Sequence, residues 1–172
     1  MLLTWSGWEQ SSHTNLYMCV PFIFMKKLDY MMLAYEEALK AFKEDEVPIG
    51  CIIVKDNKII SYGHNQKEKE KDATRHAEII AIQSANKYLN NWHLDDCEIY
   101  ITLEPCMMCT GAIINSRIKK IYYACNDPKG GAIESNIEIK EIPLLNHYPE
   151  YEKGLMEKEC SKLLKDFFKN KR

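Results

Sequence analysis

Two short stretches, Arg75-His76-Ala77-Glu78-Ile79 and Leu103-Glu104-Pro105-Cys106-Met107-Met108-Cys109, constrain this chain more than anything else in it. His76, Cys106 and Cys109 are suited to hold one zinc ion. Three protein ligands leave a coordination position for water, as in hydrolytic rather than closed structural sites. Any fold must therefore close two segments distant in the chain over a single point.

Spacing adds a second condition. Positions two apart on a helix do not face each other, so His76 and Glu78 converge only at a helix N-terminus. Polar Lys71-Asp72-Ala73-Thr74 precedes the pair, and Ile79, Ile80 and Ile82 begin an apolar pattern after it. Cys106 and Cys109 share a helical face, and Pro105 suits a first helical turn, where no amide donor is needed. Two helix N-termini then point at one metal, and their dipoles favour thiolate, so both cysteines are expected to bind as anions. Zinc lowers the pKa of its water to about 7, and Glu78 is placed to take that proton and return it to a leaving group. The order H-x-E followed by P-C-x-x-C is the signature of zinc nucleobase deaminases. Cys-x-x-Cys alone also occurs in structural zinc knuckles and redox motifs, so the weight lies in its combination with Pro105 and His76-x-Glu78.

At 172 residues the chain suits one domain with a substantial core. No apolar run reaches the roughly 20 residues that span a bilayer, which excludes a membrane partner of that kind. Seven cysteines without a framework pattern point to a reducing compartment, and so to a cytoplasmic protein with thiols free for metal. Net charge is -2, but Lys153–Arg172 carries seven Lys/Arg against three Asp/Glu, a local +4 that leaves about -6 for the rest. Any nucleic-acid contact is thereby placed near the C-terminus, unless that segment is simply a solvated amphipathic helix.

Residues Met1–Phe24 contain no Lys or Arg and differ from the rest of the chain, so residues 1-24 are expected to be a dispensable extension and 25-172 the single zinc domain, with a basic C-terminal helix. Leu28, Met31, Met32, Tyr35, Ala38, Leu39 and Phe42 recur at three and four, an amphipathic helix with one buried stripe. Cys51–Val54 and Ile59–Tyr62 flank Lys55-Asp56-Asn57-Lys58 as a β-hairpin, with Cys51 a small buried hydrophobe. Lys67–Asp72 reads as a solvated connector. The His76 helix should run to about Tyr88, Ile99–Thr102 should be a strand ending at the cysteine helix, and Ile118–Ala124 another strand. So short a crossover argues for parallel pairing in a layered α/β domain, with ligands beyond the strands' carboxyl ends. His64 and His93 read as ordinary histidines. Cys97 and Cys125 could complete a four-ligand structural site, a reading that leaves Glu78 without a purpose.

With these residues in hand, the chain resembles the tRNA adenosine deaminase family from about Leu28 to its C-terminus. The resemblance is carried by Glu46-Val47-Pro48-Ile49-Gly50, Gly63-His64-Asn65, Thr102–Cys106, Gly111-Ala112 with Ser116-Arg117-Ile118, Asp127–Ala132 and Leu145-Asn146-His147. It implies a cytidine-deaminase-like three-layer α/β/α fold with a mixed five-stranded sheet, a homodimer, one zinc per subunit, and a tRNA anticodon stem-loop as substrate. It further implies that Asn65 and Val47 lie against the target nucleotide, that Asp127 contacts the neighbouring ribose, and that main chain around Ala77 and Leu103-Glu104 holds the base. Phe168, in Phe167-Phe168-Lys169, resembles the aromatic-basic end of the family's last helix, where it would stack on a base; its helical spacing alone reads as core. The implied reaction is hydrolytic deamination of the wobble adenosine to inosine, with Glu78 as the proton carrier. Arg75 departs from the bacterial pattern towards eukaryotic heteromeric enzymes, which leaves a heterodimer open. Pro149 makes the last strand an edge strand or none. The rivals are a free-base or nucleoside deaminase (guanine or cytosine) and a catalytically silent, zinc-stabilised RNA-binding subunit.

Overall fold

In this computed structural model, residues 25–169 and 171 are described; the extension expected over Met1–Phe24 lies outside them. Asp56 and Asn57 take left-handed backbone angles (φ 49° and 59°), which a two-residue hairpin turn demands, and join β1 (Gly50–Lys55) to β2 (Lys58–His64). The other edge of β1 pairs antiparallel with β3 (Glu98–Leu103). The crossover through α4 (Met107–Asn115) brings β4 (Lys120–Cys125) parallel to β3, as its brevity implies. β5 (Glu150–Lys153) lies parallel to β4 at the sheet edge, with Pro149 just ahead of it and outside the ladder. The sheet order is β2-β1-β3-β4-β5.

Alternate strand side chains enter two separate cores, which is why β1, β3 and β4 read as nearly continuous apolar runs. Cys51, Ile53, Ile99, Ile101, Ile121 and Tyr123 face α3 (Ala77–Leu89) and α4. Ile52, Val54, Tyr100 and Tyr122 face α1 (Lys27–Lys43) and α5 (Glu157–Lys169). The three-layer arrangement matches the expected cytidine-deaminase-like fold.

One local expectation is corrected. The buried face of α1 is Tyr30, Met31, Ala34, Glu37, Ala38 and Ala41, whereas Leu28 and Met32 are exposed. Met31 and Ala38 of the expected stripe are buried, and the small Ala34 and Ala38 let the helix backbone lie close on Gly50 of the sheet. The Lys67–Asp72 connector is exposed throughout, as expected of a solvated segment, and contains one helical turn, α2 (Lys67–Glu70), held where the Glu46 carboxylate accepts the Lys69 N–H at 2.7 Å.

Because β1 runs antiparallel to both neighbours, β2, β3 and β4 all end at the same side of the sheet. Asn65, Cys106 and Asp127 come just after those three ends, and Val47 leads into β1 there; in open α/β sheets this is where ligands bind. Among the described residues no helix is long and apolar enough to cross a membrane.

Candidate active site

The start of α3 is fixed by its contact with β2. A Cβ at Gly63 would lie 2.2 Å from the Ala77 carbonyl oxygen and 2.9 Å from the Ala81 nitrogen, so only glycine lets the helix approach. Buried Asn65 then accepts the Ala77 N–H at 2.9 Å through Oδ1. Its main-chain N–H reaches Ile49 O at 3.2 Å, tying in the segment that carries half-buried Val47. His76 is the N-cap of α3 and Glu78 its second residue, which brings the pair to one end as the spacing requires. Cys106 is likewise the N-cap of α4, with Cys109 in its first turn. Pro105 therefore stands just outside the helix rather than in its first turn, where its carbonyl accepts the Ala132 N–H at 2.9 Å.

His76 Nδ1 lies 3.5 Å from Cys109 Sγ and 3.7 Å from Cys106 Sγ, and the three atoms all fall within 4.8 Å of one another. Tetrahedral ligands on one zinc, with bonds near 2.1 and 2.3 Å, stand about 3.5–3.8 Å apart, so these side chains fit such an ion. Cys97 and Cys125 do not join the group among the described residues. Burial pushes both thiols up to about 11, and Cys125 donates to Thr102 O at 3.4 Å. The four-ligand structural alternative therefore has no geometry to support it.

The two thiols have unequal surroundings. Hydrogen bonds from Cys109 and His76 hold Cys106 down at about 4 despite its burial, whereas the bond to Cys106, together with burial, pushes Cys109 up. The contact with Cys106 raises the His76 pKa. Glu78 is 3% exposed, and burial, reinforced by the charge on Cys106, lifts its carboxyl to about 7. Its Oε2 is fully buried with no partner among the described residues, a costly state unless something polar is meant to meet it.

Outside this cluster, Asp127 sits in the loop after β4, its Oδ1 accepting the Lys129 N–H at 3.0 Å. Phe168 is half exposed on α5, across the sheet from α3 and α4, while Phe167 packs edge-on to Phe42. His64 Nδ1 donates to the Glu37 carboxylate at 2.9 Å and His93 pairs with Asp95, both ordinary roles. Arg75 pairs with Glu70 at 2.6 Å. Sequence reasoning missed the Glu104 side chain. It is 2% exposed and gathers the loop after β4, and the available signal was an acid at the end of an apolar strand, which must find partners.

Three donors able to hold a metal, beside an acid with one unpartnered buried oxygen, in this three-layer frame, define the class: a deaminase of the cytidine-deaminase type. The comparisons narrow it. The MafB19-like deaminase family model matches residues 25–172. A tRNA-specific adenosine deaminase of Aquifex aeolicus is 45% identical over 148 residues, 86% of this chain and 97% of that protein. A structure solved in studies of A-to-I editing by tRNA:A34 deaminases at the wobble position of transfer RNA superposes with TM-score 0.76 at 41% identity, covering 78% of this chain and 97% of that one. A guanine deaminase from Bacillus subtilis superposes with TM-score 0.58 at 31% identity, covering 85% and 95%. The chain belongs to the tRNA-specific adenosine deaminase family.

Proposed function

We propose that this protein deaminates adenosine to inosine at the wobble position of a tRNA anticodon, in the cytoplasm, with His76, Cys106 and Cys109 holding zinc. The observation that carries the chemistry is the orphaned, buried Glu78 oxygen beside a three-donor group. When bound, zinc supplies a Lewis acid that lowers the pKa of water to about 7.

Water adds at C6 and ammonia leaves; the proton traffic belongs to Glu78. Buried beside the three-donor group, the Glu78 carboxylate takes a proton from water and delivers it to the ring nitrogen and the departing amine. Asn65, already fixed through Ala77, turns its amide NH₂ to the base, with Val47 and the Ala77 main chain forming the wall around it. Asp127 accepts from the neighbouring ribose hydroxyl. Phe168 and the α5 lysines take the flanking RNA by stacking and phosphate neutralisation. Exposed Met107 and Met108 at the start of α4 offer an apolar face beside the site for a second copy of the chain. Residues 25–172, the span the family model matches, act as the single zinc deaminase domain.

The likeness to guanine deaminase favours one rival, a free-base enzyme. Turnover of an anticodon stem-loop RNA is compared with that of guanine, cytosine and free adenosine at equal concentration. Inosine in the RNA with no small-molecule turnover is expected; the reverse pattern overturns the assignment.

A further inference from the structure

Glu104 is buried and bears on no step of the chemistry above, yet five donors converge on its carboxylate. Oε1 accepts the N–H groups of Ile133 at 3.0 Å, Glu134 at 2.9 Å and Ser135 at 3.0 Å. Oε2 accepts the Asp127 N–H at 3.1 Å and the Ser135 hydroxyl. A carboxylate has about four lone-pair sites, so this one is saturated by a single loop.

The fit is close. A Cβ at Gly131 would lie 2.4 Å from the Glu104 carboxyl carbon, so glycine is required where the loop crosses the acid. The same Gly131 bridges to Cys106, and Ala132 donates to Pro105 O. Glu104, Pro105 and Cys106 thus attach the loop at three successive residues, the last of them a member of the metal-binding group.

We propose that Glu104 is the positioning residue for RNA recognition: it anchors the main chain of Asp127 and seats residues 127–135 against the cysteine segment before substrate arrives. This rests on the reading of Asp127 as a ribose contact. A loop left loose must be ordered when RNA binds, which weakens binding while leaving proton transfer at Glu78 alone.

Glu104→Gln separates the halves of the anchor, because the amide keeps an acceptor at Oε1 but presents NH₂ to the two donors at Oε2. The zinc-loaded variant should keep its metal and its helical circular dichroism. Amide exchange at Asp127 should rise about 10-fold, and KM for the stem-loop RNA about 10-fold, with kcat within about threefold, as loss of uniform binding requires. Ser135→Ala, which removes only the hydroxyl donor, should move both in the same direction by less, and decides the matter if Glu104→Gln does not fold. Unchanged KM and exchange in both, or a fall in kcat alone, overturns the proposal. Absence of RNA turnover in the wild type would instead remove the functional reading, while the exchange measurement still tests the anchor.

Discussion

His76 Nδ1 and Cys109 Sγ stand 3.5 Å apart across 33 residues of chain. Each belongs to the first turn or cap of a different helix, and neither helix touches the metal position except by its N-terminus. The separation is set by the sheet, because α3 comes after β2 and α4 after β3, with β1 between them.

Loss of either partner should release the metal. The wild type is expected to bind one zinc per chain, and Cys109→Ala to weaken binding by more than about 100-fold, beyond what loss of a merely supporting contact costs. Metal analysis after dialysis against a mild chelator reads this directly. Chelation should also lower the wild-type melting temperature, since a ligand of the native state stabilises it by mass action, and the variant should be insensitive to it.

Two glycine substitutions should behave oppositely. Gly63→Ala drives a methyl group into the Ala77 carbonyl and should cost about 1–3 kcal/mol by overpacking, with weaker zinc binding as α3 shifts. Gly111→Ala, on α4 with nothing within 4 Å of the new carbon, should be neutral or stabilise by about 0.5–1 kcal/mol. Urea denaturation of the pair measures both.

Much of this was legible in the sequence, and what was not has a common cause. His76, Glu78, Cys106 and Cys109 were readable because each pair sits at a local spacing with one geometric solution. The Asp56-Asn57 hairpin was readable for the same reason. Glu104 was not, because its partners are main-chain N–H groups and one hydroxyl 23 to 31 residues away, which leave no side-chain pattern. The Glu37–His64 pair joins a helix to an edge strand across 27 residues and was equally silent. The face of α1 was legible only in part: Met31 and Ala38 lie in it as expected, but Ala34 and Ala41 are buried while the larger Leu28 and Met32 are exposed.

Acid should loosen the junction of α1 and β2. Burial works to raise the Glu37 pKa, but hydrogen bonds from His64 and Lys40 outweigh it and hold the carboxyl below its ordinary 4.5. A depressed folded-state pKa contributes stability that is present above 4.5 and is lost as pH falls through the lower folded value. Glu37→Gln should therefore cost about 1.5–3 kcal/mol at pH 7, the range of a charged hydrogen bond, and the deficit should shrink below pH 4.5. Stability measured across pH 3–7 for both proteins checks the sign.

Glu78→Gln addresses the chemistry most directly, because the amide keeps the shape of the side chain and removes its capacity to carry a proton. Zinc content and inosine formation are measured on the same samples with an anticodon stem-loop RNA. One zinc per chain with deamination reduced about 10²–10⁴-fold, the range for a general acid–base group, is the expected result. Turnover at the wild-type rate with zinc retained would contradict the role of Glu78 and with it the reaction assigned to this site.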